Sequence, residues 1–203
     1  RIPAAWCGVV GLRTSPGLVA NRARSLGWSP LSVLGPLGRT VADAAFMLAA
    51  CVGLDRQDPL SFDTAAAGVW PLPSTDLAGL RVGFSEDLGG CPVSADVRRV
   101  FRQRIAALAP WVARCEPVTL DMADADFAFD VARAEAFLAG FGAAAEQAPE
   151  TLGANIHANL ELARGIGLGD RARAHAVQTR IARGFAQALQ TFDVILSPVL
   201  PVT

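Results

Sequence analysis

Apolar residues recurring at helical spacing, interrupted by short β-like runs, narrow the fold more than any other feature of this chain. Val97, Phe101, Ile105 and Leu108 form one stripe, with Ser94 as the predicted N-cap and Pro110 as the stop; residues three and four apart stack on one helix face. Residues 80–84 before this stripe and 112–120 after it read as strands, the first running into the turn-rich Asp87-Leu88-Gly89-Gly90. Strand, helix and strand in that order predict a β-α-β unit with parallel strands.

The same pattern extends in both directions. Phe127, Val131, Ala134, Leu138 and Phe141 predict a long helix over 122–147, with Gly140 and Gly142 as candidate interruptions. A last helix from about Asp170 carries Val177, Ile181, Phe185 and Leu189, and a strand over 192–196 is stopped by Pro198 and Pro201. Upstream, Thr40-Val41-Ala42-Asp43 is a capping box, Gly53 closes the helix it starts, and Val41, Ala45, Leu48 and Val52 are its expected buried stripe. These elements predict an α/β fold, a mixed sheet flanked by helices, in a single domain. The most linker-like stretch is 55–75, and no internal repeat is visible.

Composition enters through what is missing. The chain has no lysine and no tyrosine, so its eighteen basic side chains other than histidine are all arginine. Arginine holds its proton too firmly to act as a base, which excludes a Schiff-base lysine, a lysine general base and a Walker-type phosphate lysine from these residues. A net charge of −1 gives no field to gather nucleic acid or an anionic membrane. The longest apolar runs, 41–53 and 192–202, are too short to span a bilayer and each contains an aspartate. Cys7, Cys51, Cys91 and Cys115 are widely spaced without a C-x-x-C pair, which fits free thiols in a cytoplasmic protein.

Two blocks carry a family resemblance. Arg1-Ile2-Pro3-Ala4-Ala5-Trp6-Cys7-Gly8-Val9-Val10-Gly11-Leu12-Arg13 resembles the stretch that follows the nucleophile in amidase-signature enzymes, where a Gly-Gly-Ser-Ile segment precedes the arginine. Gly35-Pro36-Leu37-Gly38-Arg39-Thr40-Val41-Ala42-Asp43-Ala44-Ala45 resembles the Gly-Pro-Met/Leu-x-Arg-Thr-Val-x-Asp-Ala block of the same family. Supporting matches are Gly53-Leu54-Asp55-Arg56-Gln57-Asp58-Pro59, the strand entry from Asp76 to Gly83, and Phe192-Asp193-Val194-Ile195-Leu196-Ser197-Pro198. Arg13 stands where the family often has lysine, and Thr14-Ser15-Pro16 departs from its Pro-Thr order; both read as loop variation.

The resemblance implies part of an amidase-signature fold and a Ser–cis-Ser–Lys hydrolase without a cofactor. A serine attacks the amide carbonyl, a second serine relays its proton to a neutral lysine, and backbone N–H groups hold the oxyanion. A free lysine, with a pKa of about 10.4, must be shifted down to act this way. In the family these groups precede Arg1, so no catalytic residue is expected in this chain. The expectation is a central to C-terminal piece, truncated at both ends and inactive alone, from an enzyme acting on a small-molecule amide.

Arg1, Ile2 and Trp28 are the substrate-binding candidates. Arg1 either meets a substrate carboxylate or, as the favoured role, anchors the loop behind the nucleophile; Trp28 either walls the acyl pocket or is a core aromatic. Cys7 is expected as a buried structural thiol, not a nucleophile paired with His157 or His175. Asp121, Asp124, Asp126 and Asp130 read as acids complementing a helix dipole, with no metal. Gly165-Ile166-Gly167-Leu168-Gly169 reads as an interhelical loop, and the arginines from Arg98 to Arg104 as a solvated face. No nucleic-acid or membrane partner is expected, and homo-oligomerisation is left open. Two other readings stand beside the amidase: a non-catalytic α/β binding or assembly module, and the amidase-type subunit of a tRNA amidotransferase.

Overall fold

A computed structural model describes residues 1–64 and 68–202. The chain divides into two compact units, Arg1–Thr75 and Asp76–Thr203.

The first unit opens with a short helix, α1 (Ile2–Cys7), that has proline in its first turn and ends on Gly8 in the left-handed region. Strands β1 (Val10–Gly11) and β2 (Leu37–Gly38) pair antiparallel, with Val10 opposite Gly38 and Gly11 opposite Leu37. The intervening loop is tied down by Thr14, whose buried hydroxyl donates to the Leu34 carbonyl at 2.8 Å. Helix α2 (Val41–Cys51) starts on the predicted capping box: the Asp43 N–H donates to Thr40 Oγ1 at 3.1 Å, and the Thr40 N–H donates to Asp43 Oδ2 at 3.0 Å.

The buried face of α2 differs from the expected stripe. Ala44, Ala45 and Leu48 are buried, Val41 is 61% exposed, and Val52 lies past the helix as an extended C-cap. The reason lies in β2. A Cβ on Gly38 would sit 2.7 Å from the Ala44 nitrogen, so the helix docks its alanine face where glycine leaves room. The stretch read as linker is also partly anchored, since Asp58 within it is buried. Ala65 to Ala67 of that stretch lie outside the described residues.

The second unit realises the β-α-β prediction. Strand β3 (Arg81–Phe84), helix α3 (Ala95–Leu108) and strand β4 (Arg114–Pro117) follow in order, with β3 and β4 parallel and Val82 opposite Cys115. Ser94 caps α3 as expected, and Ile105 is the most buried residue of its stripe. Helices α4 (Ala125–Gln147), α5 (Ala154–Arg164) and α6 (Leu168–Thr191) then lead to β5 (Val194–Leu196), parallel to β3 on its other side. The sheet order is β4-β3-β5. An antiparallel pair in one unit and a parallel trio in the other give the chain its α/β class.

Val82 is completely buried at the middle of this sheet. Phe192 lies against β3 where Gly83 leaves space, since a Cβ there would meet its ring at 2.9 Å. Among the helices the core is built from Ala128, Val131, Ala174 and Val177, with Phe127, Ile166 and Ile181 packed around it. Alanine at the contact lets α4 and α6 approach closely, so the buried stripe is narrow and stops early. Leu138 is 55% exposed, and Phe141 and Leu189 are exposed too, unlike the longer stripes expected. Gly140 and Gly142 do not interrupt α4. Helix α6 begins at Leu168, before the expected Asp170, because Gly167 is the N-cap and the Asp170 carboxylate accepts its N–H at 2.9 Å.

Candidate functional site

Arg1 and Ile2 sit at the start of α1. Arg1 is the N-cap, and its carbonyl accepts the Ala5 N–H at 3.0 Å. Buried Ala4 presses on Gly11, where an added Cβ would stand 2.5 Å from the Ala4 methyl, so the helix is locked to β1 by the absence of a side chain. Ile2 is 59% exposed, and the Arg1 guanidinium makes no hydrogen bond or ion pair among the described residues. What Arg1 contributes within this chain is the backbone carbonyl that closes the first turn of α1.

Trp28 lies in the loop between β1 and β2 and is 79% exposed in this chain. Beneath its loop is a buried ion pair that sequence reasoning missed. Arg24 and Asp58 have side chains 3% and 0% exposed, with Arg24 Nη2 3.6 Å from Asp58 Oδ2. Arg24 Nη1 donates to the Gly27 carbonyl at 3.2 Å and to the Ser29 carbonyl at 3.3 Å, the residues on either side of Trp28. Asp58 accepts the Asn21 N–H at 2.8 Å through Oδ2 and the Leu60 N–H at 3.0 Å through Oδ1. Those two N–H donors, aided by Arg24 against the opposing effect of burial, hold the Asp58 carboxyl below its ordinary range. The only sequence signal was Asp58-Pro59, where an aspartate side chain caps the backbone two residues on. No hydrogen bond or ion pair among the described residues links Trp28 to Arg1 or Ile2.

In the second unit the other motifs have structural partners. Arg180 binds both the Asp121 carboxylate and the Ala123 carbonyl, and Arg173 lies 3.3 Å from Asp124 at the start of α4. Among the described residues no group of three His, Cys, Asp or Glu could hold a metal ion. Three arginines of α3 face acids: Arg102 grips Glu86 with two nitrogens at 2.6 and 2.7 Å, Arg98 reaches Asp87 at 3.2 Å, and Arg99 reaches Asp96 at 3.1 Å. Residues 165–167 connect α5 to α6, as an interhelical loop should. Cys7 is exposed, contrary to the buried thiol expected, because it ends a six-residue helix with only Ala4 buried. No helix among the described residues is long and apolar enough to cross a membrane.

Parallel strands joined through helices make the second unit an α/β fold. The amidase family model matches residues 1–203, and the chain belongs to that family. It is 30% identical to a glutamyl-tRNA(Gln) amidotransferase subunit of Thermosynechococcus vestitus, over all of this chain and 47% of that protein. It is also 30% identical to an amidase of Pseudomonas putida, over all of this chain and 44% of that one. A bacterial aryl acylamidase of the amidase signature enzymes superposes on 99% of this chain with a TM-score of 0.84 at 22% identity, 44% of that structure being covered. The chain thus spans under half the length of these relatives.

Proposed function

We propose that this chain is part of an amidase that hydrolyses a carboxylic amide to an acid and ammonia or an amine, through an acyl-serine intermediate. The observation that carries this reading is the family match along all of residues 1–203, which includes the two blocks flanking the loop of Trp28. The nucleophile, base and oxyanion donors lie in the segment that precedes Arg1 in the family, in agreement with a sequence that has no lysine. Arg1, Ile2 and Trp28 contribute to the substrate rim; the exposure of Ile2 and Trp28 supports that role. The two units are parts of one domain in the whole protein, supported by the unbroken family match. The free cysteines fit a cytoplasmic location.

Replacing the serine two positions before Arg1 by alanine in the full-length protein is expected to abolish amide hydrolysis. Unchanged turnover would show that this serine is not the nucleophile, whereas a wild-type protein without turnover would be left as a non-catalytic binding or assembly module. A second reading, favoured by the 30% identity to an amidotransferase subunit, makes the whole protein the glutamine-hydrolysing partner of a tRNA amidotransferase. Co-purification with further subunits and transfer of ammonia to a charged tRNA would select it; hydrolysis of simple amides by the isolated protein selects the amidase.

A further inference from the structure

We propose that Arg24, seated on Asp58, is the positioning residue for Trp28, and that through it this buried pair sets which acyl groups the enzyme accepts. The inference rests on the reading of Trp28 as part of the substrate rim.

Arg24 Nη1 donates to the carbonyls of both Gly27 and Ser29. The Gly27 carbonyl belongs to the peptide group that precedes Trp28, and the peptide group that follows it is held by the Ser29 N–H, which donates to the Leu26 carbonyl at 3.0 Å, while the Ser29 carbonyl on Arg24 fixes the next peptide on; together these bonds fix the direction of the Trp28 Cα–Cβ bond. The guanidinium is itself held by Asp58, and Asp58 by the Asn21 and Leu60 N–H groups. The turn carrying Asp58 cannot drift away from this loop. Gly17, at φ +85°, lies so close to the Leu60 carbonyl that an added Cβ would stand 1.8 Å from its oxygen.

The bonds Arg24 lacks are equally informative. Its Nε and Nη2 have no hydrogen-bond partner among the described residues, Nη2 standing 3.6 Å from Asp58 Oδ2. Turning the fork onto Asp58, as Arg81 does on Asp193 with contacts of 2.6 and 3.2 Å, would satisfy both. The guanidinium instead keeps one nitrogen on the loop carbonyls. Its orientation serves the loop of Trp28 at the expense of the ion pair, and the loop presents an indole that is 79% exposed, an apolar surface suited to an acyl chain.

The test uses the full-length enzyme and acyl anilides from acetyl to hexanoyl, with the ratio of kcat/KM between the longest and shortest acyl groups as the readout. Trp28→Ala should change this ratio, and Arg24→Gln should shift it in the same direction by about fivefold, the scale of one hydrogen bond. In the Trp28→Ala background Arg24→Gln should add less than about twofold, because an effect transmitted through Trp28 vanishes with it. Equal shifts in both backgrounds would overturn the inference while leaving the substrate rim intact. An unchanged ratio in Trp28→Ala would overturn both. Should Arg24→Gln fail to fold, Arg24→Lys keeps the charge but loses the planar fork, and the same cycle applies. Should the wild type hydrolyse no amide, fluorine NMR of 5-fluorotryptophan protein still decides the positioning role. Arg24→Lys should then move or broaden the Trp28 line, assigned with Trp28→Phe, and an unmoved line overturns it.

Discussion

Arg81 grips Asp193 with two side-chain nitrogens in partial solvent, whereas Arg24 lies out of solvent with one nitrogen 3.6 Å from Asp58 and its remaining bonds on loop carbonyls. The Arg81 pair also shares backbone bonds. Arg81 N–H donates to Asp193 Oδ2 at 2.8 Å and Asp193 N–H donates to the Arg81 carbonyl at 2.8 Å, so the pair extends the β3–β5 ladder by one step. The difference separates two uses of one residue combination. A half-exposed fork closes the end of a strand ladder at little cost, since water screens it and takes over when it opens. A buried pair cannot open without stranding a charge, so it holds loops together whether or not its own geometry is good.

Breaking each pair should expose this contrast. Arg24→Ala removes the cation and leaves the Asp58 carboxylate buried alone, and a loss of about 3–5 kcal/mol is expected from urea denaturation of the full-length protein. A loss below about 1 kcal/mol, on the scale of an exposed pair, would erase the distinction. Thr40→Ala, which removes the hydroxyl that caps α2 in the same unit, should cost about 1 kcal/mol by the same assay. It gives a scale for a purely local contact.

The smallest effect is expected at Asp193, and pH reveals it. Hydrogen bonds from the Arg81 side chain and backbone hold the Asp193 carboxyl down to about 2, from an ordinary 3.8. A depressed folded-state pKa means stabilisation that is complete above 3.8 and lost as pH falls through about 2. Asp193→Asn should therefore lower the urea midpoint slightly at pH 6, and the gap to wild type should close as pH approaches 2. A gap that stays constant would show that the charge on Asp193 contributes nothing.

Features confined to a few consecutive residues were legible in the sequence. Thr40 with Asp43 and Ser94 before α3 cap as predicted, because capping needs partners three residues apart and little else. The β-α-β unit was legible for a related reason, since the stripe of α3 and the two short segments that flank it are each continuous in the chain. The buried face of α2 was not, because it is chosen by Gly38 in another element. Nor was the clamp under Trp28. Arg24 and Asp58 belong to separate loops, and their meeting depends on Gly17 allowing the Leu60 carbonyl to come close. Trp28 was marked as a candidate with two roles, and neither depends on a local pattern that the sequence could display.

The most direct measurement of the amidase reading is mass spectrometry of the full-length protein after reaction with a fluorophosphonate, which labels an activated serine. The expected adduct lies on the tryptic peptide that ends at Arg1, on the serine two positions before it. An adduct confined to any other residue, or none in a protein that is folded, would contradict the proposed chemistry.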